Sequence, residues 1–210
     1  MGRSCNFRGQ GVYNPDPKHR VKNEKVEYVS NQDVITINFL MPFITTSNYT
    51  ARGVFKNPHI NTIYAALFRN VEGPSYDRER LDTPDGDFLD LDWSKVGGRR
   101  LVIALHGLEG SAVRPYLRGM IRHFNRQGWD GMGVNFRSCS GEMNRSLRSY
   151  HMGETEDLET VIRHVEGLGY YREIALVGFS LGGNVILKYL GERGGETSPL
   201  LKAAVAFSVP

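Results

Sequence analysis

Ser180 lies between glycines two residues before it and two after it, in the run Ile174-Ala175-Leu176-Val177-Gly178-Phe179-Ser180-Leu181-Gly182-Gly183-Asn184. Apolar residues lead into the serine, and a pattern of helical period, Val185, Ile186, Tyr189 and Leu190, follows it. The spacing predicts a strand, a sharp turn with Ser180 at its apex, and a helix, which is the setting a G-x-S-x-G nucleophile requires. At such a turn the residues two positions away on either side press against backbone. A Cβ at Gly178 or Gly182 would clash, and glycine removes it. Strain of this kind costs about 1–3 kcal/mol and persists where function needs it. The turn leaves the Ser180 hydroxyl at a helix N-terminus, where the backbone N–H of Leu181 can face a developing oxyanion. The chemistry this permits is attack of a serine oxygen on a carbonyl carbon. The plainer alternative is a glycine-rich strand-to-helix turn with an ordinary serine; the strand before and the helix after favour the nucleophile.

A nucleophile needs a frame. The chain has 210 residues, enough for one domain with a sizeable core, and its 40% hydrophobic and 23% charged residues are ordinary for a globular protein. The net charge of +3 is small and the arginines are scattered, so nucleic-acid binding has no support. Two cysteines, Cys5 and Cys139, make no disulfide framework, and a reducing, cytoplasmic setting fits them. No apolar run approaches the ~20 residues of a membrane span, and no signal-peptide core follows Met1. An integral membrane segment is therefore not expected. The five aspartates Asp82, Asp85, Asp87, Asp90 and Asp92 invite a calcium site, but their spacing does not match an EF-hand loop. A solvated hairpin face is the expectation instead, with no metal and no cofactor.

Residues 1–52 read as an extended or disordered arm, with one β-like run at 34–39 and a second candidate start at Met41. From 53 onward the pattern is regular. Ile60, Ile63, Tyr64, Leu67 and Phe68 recur at helical spacing, with Asn57 as cap, Pro58 in the first turn, and His59 expected to pack on the core. Pro-Asp-Gly at 84–86 is a turn, followed by Leu89, Leu91 and Trp93 alternating with Asp90 and Asp92, a half-buried strand. The run 101–105 is apolar throughout, as in a strand covered on both faces. A helix is expected from about 113 to 127, a strand over 131–137, a helix carrying Leu158, Val161, Ile162, Val165 and Leu168, and a last strand over 202–208. Cys139 reads as a small loop residue. Strands alternating with helices specify βαβ units and a parallel sheet, with an antiparallel hairpin at its edge.

Four segments carry a resemblance. His-Gly-Leu-Glu-Gly-Ser at 106–111, Arg-Ser-Cys-Ser-Gly-Glu at 137–142, Tyr-His-Met-Gly-Glu-Thr-Glu-Asp at 150–157 and Gly-Phe-Ser-Leu-Gly-Gly-Asn at 178–184 together resemble the YheT-like branch of the α/β-hydrolases. Asn-Pro-His-Ile-Asn-Thr at 57–62 and Thr-Pro-Asp-Gly-Asp-Phe at 83–88 are similar to that family's opening segment. The resemblance covers about residues 53–210. It implies an α/β fold with a mostly parallel sheet, helices on both faces and an antiparallel amino-terminal hairpin. It further implies a serine hydrolase of carboxylic esters, with short-chain esters or acylglycerols, a small-molecule or lipid ester, as substrate. Relatives that transfer acyl groups to alcohols or cleave phospholipids make acyl transfer an alternative. A non-catalytic module that binds an acyl ligand or a partner is another. Ser138 stands where the family usually has glycine.

In this architecture the second oxyanion donor comes from a loop after an early strand, which assigns it to the backbone N–H of Leu108. The base comes last in chain order. His106 has the right residue type but precedes Ser180, so its expected task is to hold the loop in shape. Between Leu181 and Pro210 there is no aspartate and no histidine, and Glu192 and Glu196 come too early to be the acid. The expectation is the amino-terminal part of a hydrolase, with the nucleophile and both oxyanion donors but no base. Nothing in the sequence sets its oligomeric state.

Overall fold

Unbroken apolar runs make interior strands, because a strand covered on both faces leaves no side for polar groups. The computed structural model describes residues 26–30, 33–37, 47 and 49–210, which fall into two units, Met1–Arg52 and Gly53–Pro210. In the first, β1 (Val26–Ser30) and β2 (Asp33–Ile37) pair antiparallel, with Val26 opposite Ile37. Met41 lies outside the described residues.

The second unit is built on a six-stranded sheet. Its strands are β3 (Asp77–Asp82), β4 (Phe88–Ser94), β5 (Arg100–Leu105), β6 (Asp130–Asn135), β7 (Glu173–Phe179) and β8 (Leu201–Phe207). Their order is β3-β4-β6-β5-β7-β8. β5 to β8 run parallel, and the β3–β4 hairpin pairs antiparallel at one edge, through β4 to β6. The first helix of the unit is α1 (Pro58–Ile63); α2 (Pro115–Arg126), α3 (Glu156–Gly167) and α4 (Leu181–Arg193) connect the parallel strands. Because side chains alternate along a strand, β5 sends Leu101, Ile103 and Leu105 into one core with Leu158, Val161 and Ile162 of α3 and Val185, Ile186 and Tyr189 of α4. Ala104 faces the other way, onto Leu117 and Ile121 of α2. The result is an α/β fold with helices on both faces of a mostly parallel sheet. Among the described residues no helix is long and apolar enough to cross a membrane.

The hairpin aspartates depart from expectation. Asp87, Asp90 and Asp92 are buried, not solvated. β4 is covered on one side by β3 and on the other by β6, so it is not the sheet edge. The register sets Arg78 opposite Asp92 and Arg80 opposite Asp90, and each arginine donates two N–H bonds of 2.7–2.9 Å to its carboxylate. Directly opposed charges of this kind stabilise a sheet by about 0.2–1 kcal/mol per pair. Among the described residues no cluster of side chains suits a metal ion.

The neighbouring turn holds a second ionic group. Arg137, with its side chain only 1% exposed, reaches Asp157 at 2.7 Å, Asp85 at 3.0 Å and Asp87 at 3.3 Å. Burial alone would raise the Asp87 carboxyl. The backbone N–H groups of Arg145 and Ser146, the Ser146 hydroxyl and the Asn144 amide hold it below the usual carboxylate range. The Thr83 hydroxyl, opposed by burial and helped by Arg137, brings Asp85 down to about 2. Both folded-state values are depressed, so the stabilisation is full above the unfolded value near 4 and is lost as pH falls through the folded one. Stability is therefore expected to drop between about pH 4 and pH 2, and Asp85→Asn to flatten that slope. Melting temperatures across pH 2–5 check this; parallel slopes in the two proteins would rule it out.

Helical spacing at Ile60, Ile63, Tyr64, Leu67 and Phe68, with Asn57 as cap, predicts a helix. The segment forms instead a 3-10 turn (Gly53–Lys56), α1, and a π-helical turn (Tyr64–Phe68). The cap is as read: the N–H groups of His59 and Ile60 donate to the Asn57 side chain at 2.9 and 3.3 Å. His59, however, is exposed and not packed on the core, as are Ile60, Ile63, Tyr64 and Phe68. Helical spacing marks an apolar stripe without saying what covers it.

Candidate active site

β7 carries the chain into the apex at Ser180, and α4 leaves it at once. Ser180 is exposed and adopts φ 51°, ψ −118°, a conformation that costs a non-glycine residue strain. Its N–H donates to the Phe207 carbonyl at 2.8 Å, which ties the apex to β8. The packing explains the glycines. A Cβ on Gly178 would lie 2.5 Å from the Gly182 carbonyl oxygen, and one on Gly182 would lie 2.6 Å from that of His106. The end of β7, the start of α4 and the exit of β5 thus meet with no room for a side chain. The first bond of α4 runs from the Asn184 N–H to the Ser180 carbonyl at 3.1 Å. The amides of Leu181, Gly182 and Gly183 therefore have no partner within the helix.

The loop leaving β5 passes beside the apex: a Cβ built on Gly107 would sit 3.3 Å from that of Ser180. Leu108 follows, its side chain exposed. Around it, the Gly107 N–H donates to the Tyr116 hydroxyl at 3.1 Å, the Glu109 N–H to the Tyr150 hydroxyl at 2.9 Å and the Gly110 N–H to the Gly107 carbonyl at 3.0 Å. Leu108 lines two clefts. One, of about 800 Å³, is walled by Arg114, Cys139, Met143, Leu147 and Tyr150. The other, of about 490 Å³, is walled by Thr62, Ala65, Arg69, Pro115 and Tyr116. Ser180 itself is in neither wall.

His106 is fully buried. Its Nε2 accepts the Phe136 N–H at 3.1 Å, so the ring proton must sit on Nδ1, which donates to the Gly107 carbonyl at 2.7 Å. Both nitrogens are engaged, and burial lowers its pKa; the ring pins β5 to β6 and has no free atom for Ser180. Glu192 lies twelve positions beyond Ser180, roughly 18 Å along α4, where it pairs with Lys188 and accepts from the Thr155 hydroxyl at 2.7 Å. Glu196 sits in the 3-10 turn (Gly194–Glu196). Burial pushes the Cys139 thiol up, and the nearby Arg137 guanidinium is taken up by carboxylates. Ser138 adopts φ 61°, which is where glycine is at ease; its N–H donates to the Asn144 side chain. Sequence reasoning gave no role to Tyr116 and Tyr150. By sequence Tyr116 is one apolar residue within the helix expected over about 113–127, and Tyr150 opens a motif whose spacing shows no purpose.

The family model described as the alpha/beta hydrolase fold matches residues 100–207, and the chain belongs to that family. Within it the chain falls in the YheT-like branch: it is 38% identical to YheT of Escherichia coli (strain K12), an esterase by name, over 84% of this chain and 52% of that protein. It is also 38% identical to phospholipase ABHD3 of Bos taurus, over 64% of this chain and 34% of that one. The solved esterase Pf2001 of Pyrococcus furiosus shares the fold, with a TM-score of 0.56 over 64% of this chain and 49% of that one at 23% identity. The chain spans about half the length of YheT and about a third of the phospholipase.

Proposed function

We propose that Ser180 is the nucleophile of a serine hydrolase of carboxylic esters, with the N–H groups of Leu108 and Leu181 as oxyanion donors. The observation that carries the reading is an exposed serine held at φ 51° immediately before α4, with the loop of Leu108 against it. The substrate class is short-chain esters or acylglycerols. Similarity to the monoacylglycerol lipase of Saccharomyces cerevisiae, 26% identical over 61% of this chain, supports the lipid end of that range. The cytoplasm is the proposed setting, on the cysteine usage read above. Acyl transfer to an alcohol is the second reading. Similarity to the medium-chain fatty acid ethyl ester synthase/esterase 2 of the same yeast, 30% identical over 50% of this chain, favours it. Ester products formed in added ethanol separate the two.

In this reading the acid and base lie outside the described residues, since no aspartate and no histidine follows Ser180 in the sequence. Without a base the hydroxyl is a weak nucleophile near neutral pH, so the chain by itself is inactive or very weak. A fluorophosphonate probe tests both halves of the proposal. Slow labelling is expected at Ser180 and none in Ser180→Ala. The rate should climb about tenfold per pH unit from about 6 to 9, because hydroxide does the work of the base. A form of the protein that adds the acid and histidine should label roughly 10²–10⁴-fold faster at about pH 7. An adduct mapped to another serine would end the nucleophile assignment. A plateau near pH 7 in the 210-residue chain would reveal a base within it.

A further inference from the structure

We infer that Tyr116 and Tyr150 are positioning residues that leave the Leu108 N–H as the one donor their loop offers to Ser180. The inference rests on the reading of Ser180 as nucleophile and Leu108 as oxyanion donor. Four successive amides, residues 107–110, run past the apex. Three are occupied: that of Gly107 by the Tyr116 hydroxyl, that of Glu109 by the Tyr150 hydroxyl, and that of Gly110 by the Gly107 carbonyl. Among the described residues the Leu108 N–H has no such partner. A loop with several competing donors would place none of them well; a loop with its other amides bound presents one.

Each tyrosine also fixes where that donor points. The Tyr116 ring packs on Phe179 at 4.8 Å, and Phe179 immediately precedes Ser180. Tyr116 thus couples the loop to the strand that carries the nucleophile. Tyr150 closes a circuit. Its ring stacks on Phe136 at 5.3 Å, within 5° of parallel. The Phe136 ring meets the His106 ring edge-on at 4.7 Å, and the Phe136 N–H donates to His106 Nε2. From His106 the chain returns in three residues to the Glu109 amide that Tyr150 holds. The loop is therefore fastened at both ends to the segment that follows β6. Glu109 adopts φ 51°, unfavourable for its residue type, and its N–H is the one that donates to the Tyr150 hydroxyl. Neither tyrosine oxygen touches a reacting atom in this scheme; both act through the backbone of Leu108.

Phenylalanine keeps both rings and removes only the oxygens, so Tyr116→Phe and Tyr150→Phe are the informative variants. The 210-residue chain, each variant and Ser180→Ala are treated with the fluorophosphonate at about pH 9, where hydroxide substitutes for the base. The maximal labelling rate, the half-saturating probe concentration, the melting temperature and amide hydrogen exchange at 107–110 are recorded. A misplaced oxyanion donor slows the bond-forming step without weakening encounter. The maximal rate should fall roughly 10- to 100-fold in each variant, while half-saturation stays within about twofold and the melting temperature within a few degrees. Exchange of the Glu109 amide in Tyr150→Phe, and of the Gly107 amide in Tyr116→Phe, should quicken at least about tenfold, as expected for one lost hydrogen bond. Wild-type labelling rates in both variants, with Ser180→Ala blank, would overturn the positioning role and leave the nucleophile standing. A slower rate accompanied by weaker saturation and a lower melting temperature, or by unchanged amide exchange, would reduce the tyrosines to packing. No adduct at Ser180 in the parent chain would remove the nucleophile reading and this inference with it.

Discussion

Gly182→Ala is expected to abolish detectable labelling of Ser180 and to destabilise the fold. The added methyl would stand 2.6 Å from the His106 carbonyl oxygen, 2.7 Å from that of Leu105 and 2.8 Å from the Leu105 carbonyl carbon. All three are backbone atoms at the end of β5, which is paired with β6 on one side and β7 on the other. They cannot swing aside as a side chain would. Restoring ordinary contact needs a shift of roughly 1 Å, and α4 is the element free to make it. That shift moves the Leu181 N–H away from the loop carrying Leu108. A misplacement of about 1 Å can cost about 10²-fold in rate, and overpacking costs about 1–3 kcal/mol. Gly191→Ala is the control. It lies on the same helix, has open space where its Cβ would go, and should raise stability by about 0.4–1 kcal/mol with labelling unchanged. Labelling of Gly182→Ala at the parent rate would show that the elbow does not depend on this close approach.

The elbow is legible in the sequence because the signals that mark it lie within one short run, residues 174–184, although the contacts that fix it also come from β5 and β8. Glycine spacing, the apolar strand and the helical period are local, and the β7–Ser180–α4 geometry follows from them. The β5 and β7 strands are legible for a similar reason: a strand interior to a parallel sheet is apolar at nearly every position. The aspartates are not, because their fate depends on register and on a strand far away in sequence. Arg78 and Arg80 fall opposite Asp92 and Asp90 once the 84–86 turn is fixed. Half of the signal is therefore present as opposite charges 14 and 10 positions apart. That Ser140 and Glu142 then come over the same face, bonded to Arg78 and Arg80, and that Asn135 donates to Asp92, are non-local facts, and they turn a solvated face into a buried one. His59 and the stripe at Ile60, Ile63, Tyr64 and Phe68 fail in the opposite sense, since an amphipathic pattern does not guarantee a covering surface. Tyr116 and Tyr150 are beyond reach. Each meets its amide through tertiary contact, at sequence separations of 9 and 41 residues, and no periodicity encodes that.

Arg137→Met should cost about 3–5 kcal/mol, the penalty for leaving a buried carboxylate without its cation. Asp157 is the member of that group with the most to lose. Among the described residues its carboxylate receives hydrogen bonds from Arg137 alone, at 2.7 and 2.8 Å, whereas Asp87 keeps its donors from 144–146 and Asp85 keeps Thr83 and Arg148. The negative residues at the start of α3 look, by sequence, like partners of the helix dipole, which stabilises by about 0.3–1 kcal/mol each. For Asp157 the arginine contributes more than the dipole does. Total stability of a domain is about 5–15 kcal/mol, so the single variant forfeits a large share of it, and its urea midpoint should fall by about 2 M. The pairing itself contributes less than that loss, because most of the penalty is an orphaned charge. Arg137→Met combined with Asp157→Leu should therefore recover at least about half of the lost stability, giving a strongly non-additive cycle. If the double variant is instead as unstable as the two single losses added together, the buried pair is not what binds the turn at 84–87 to α3.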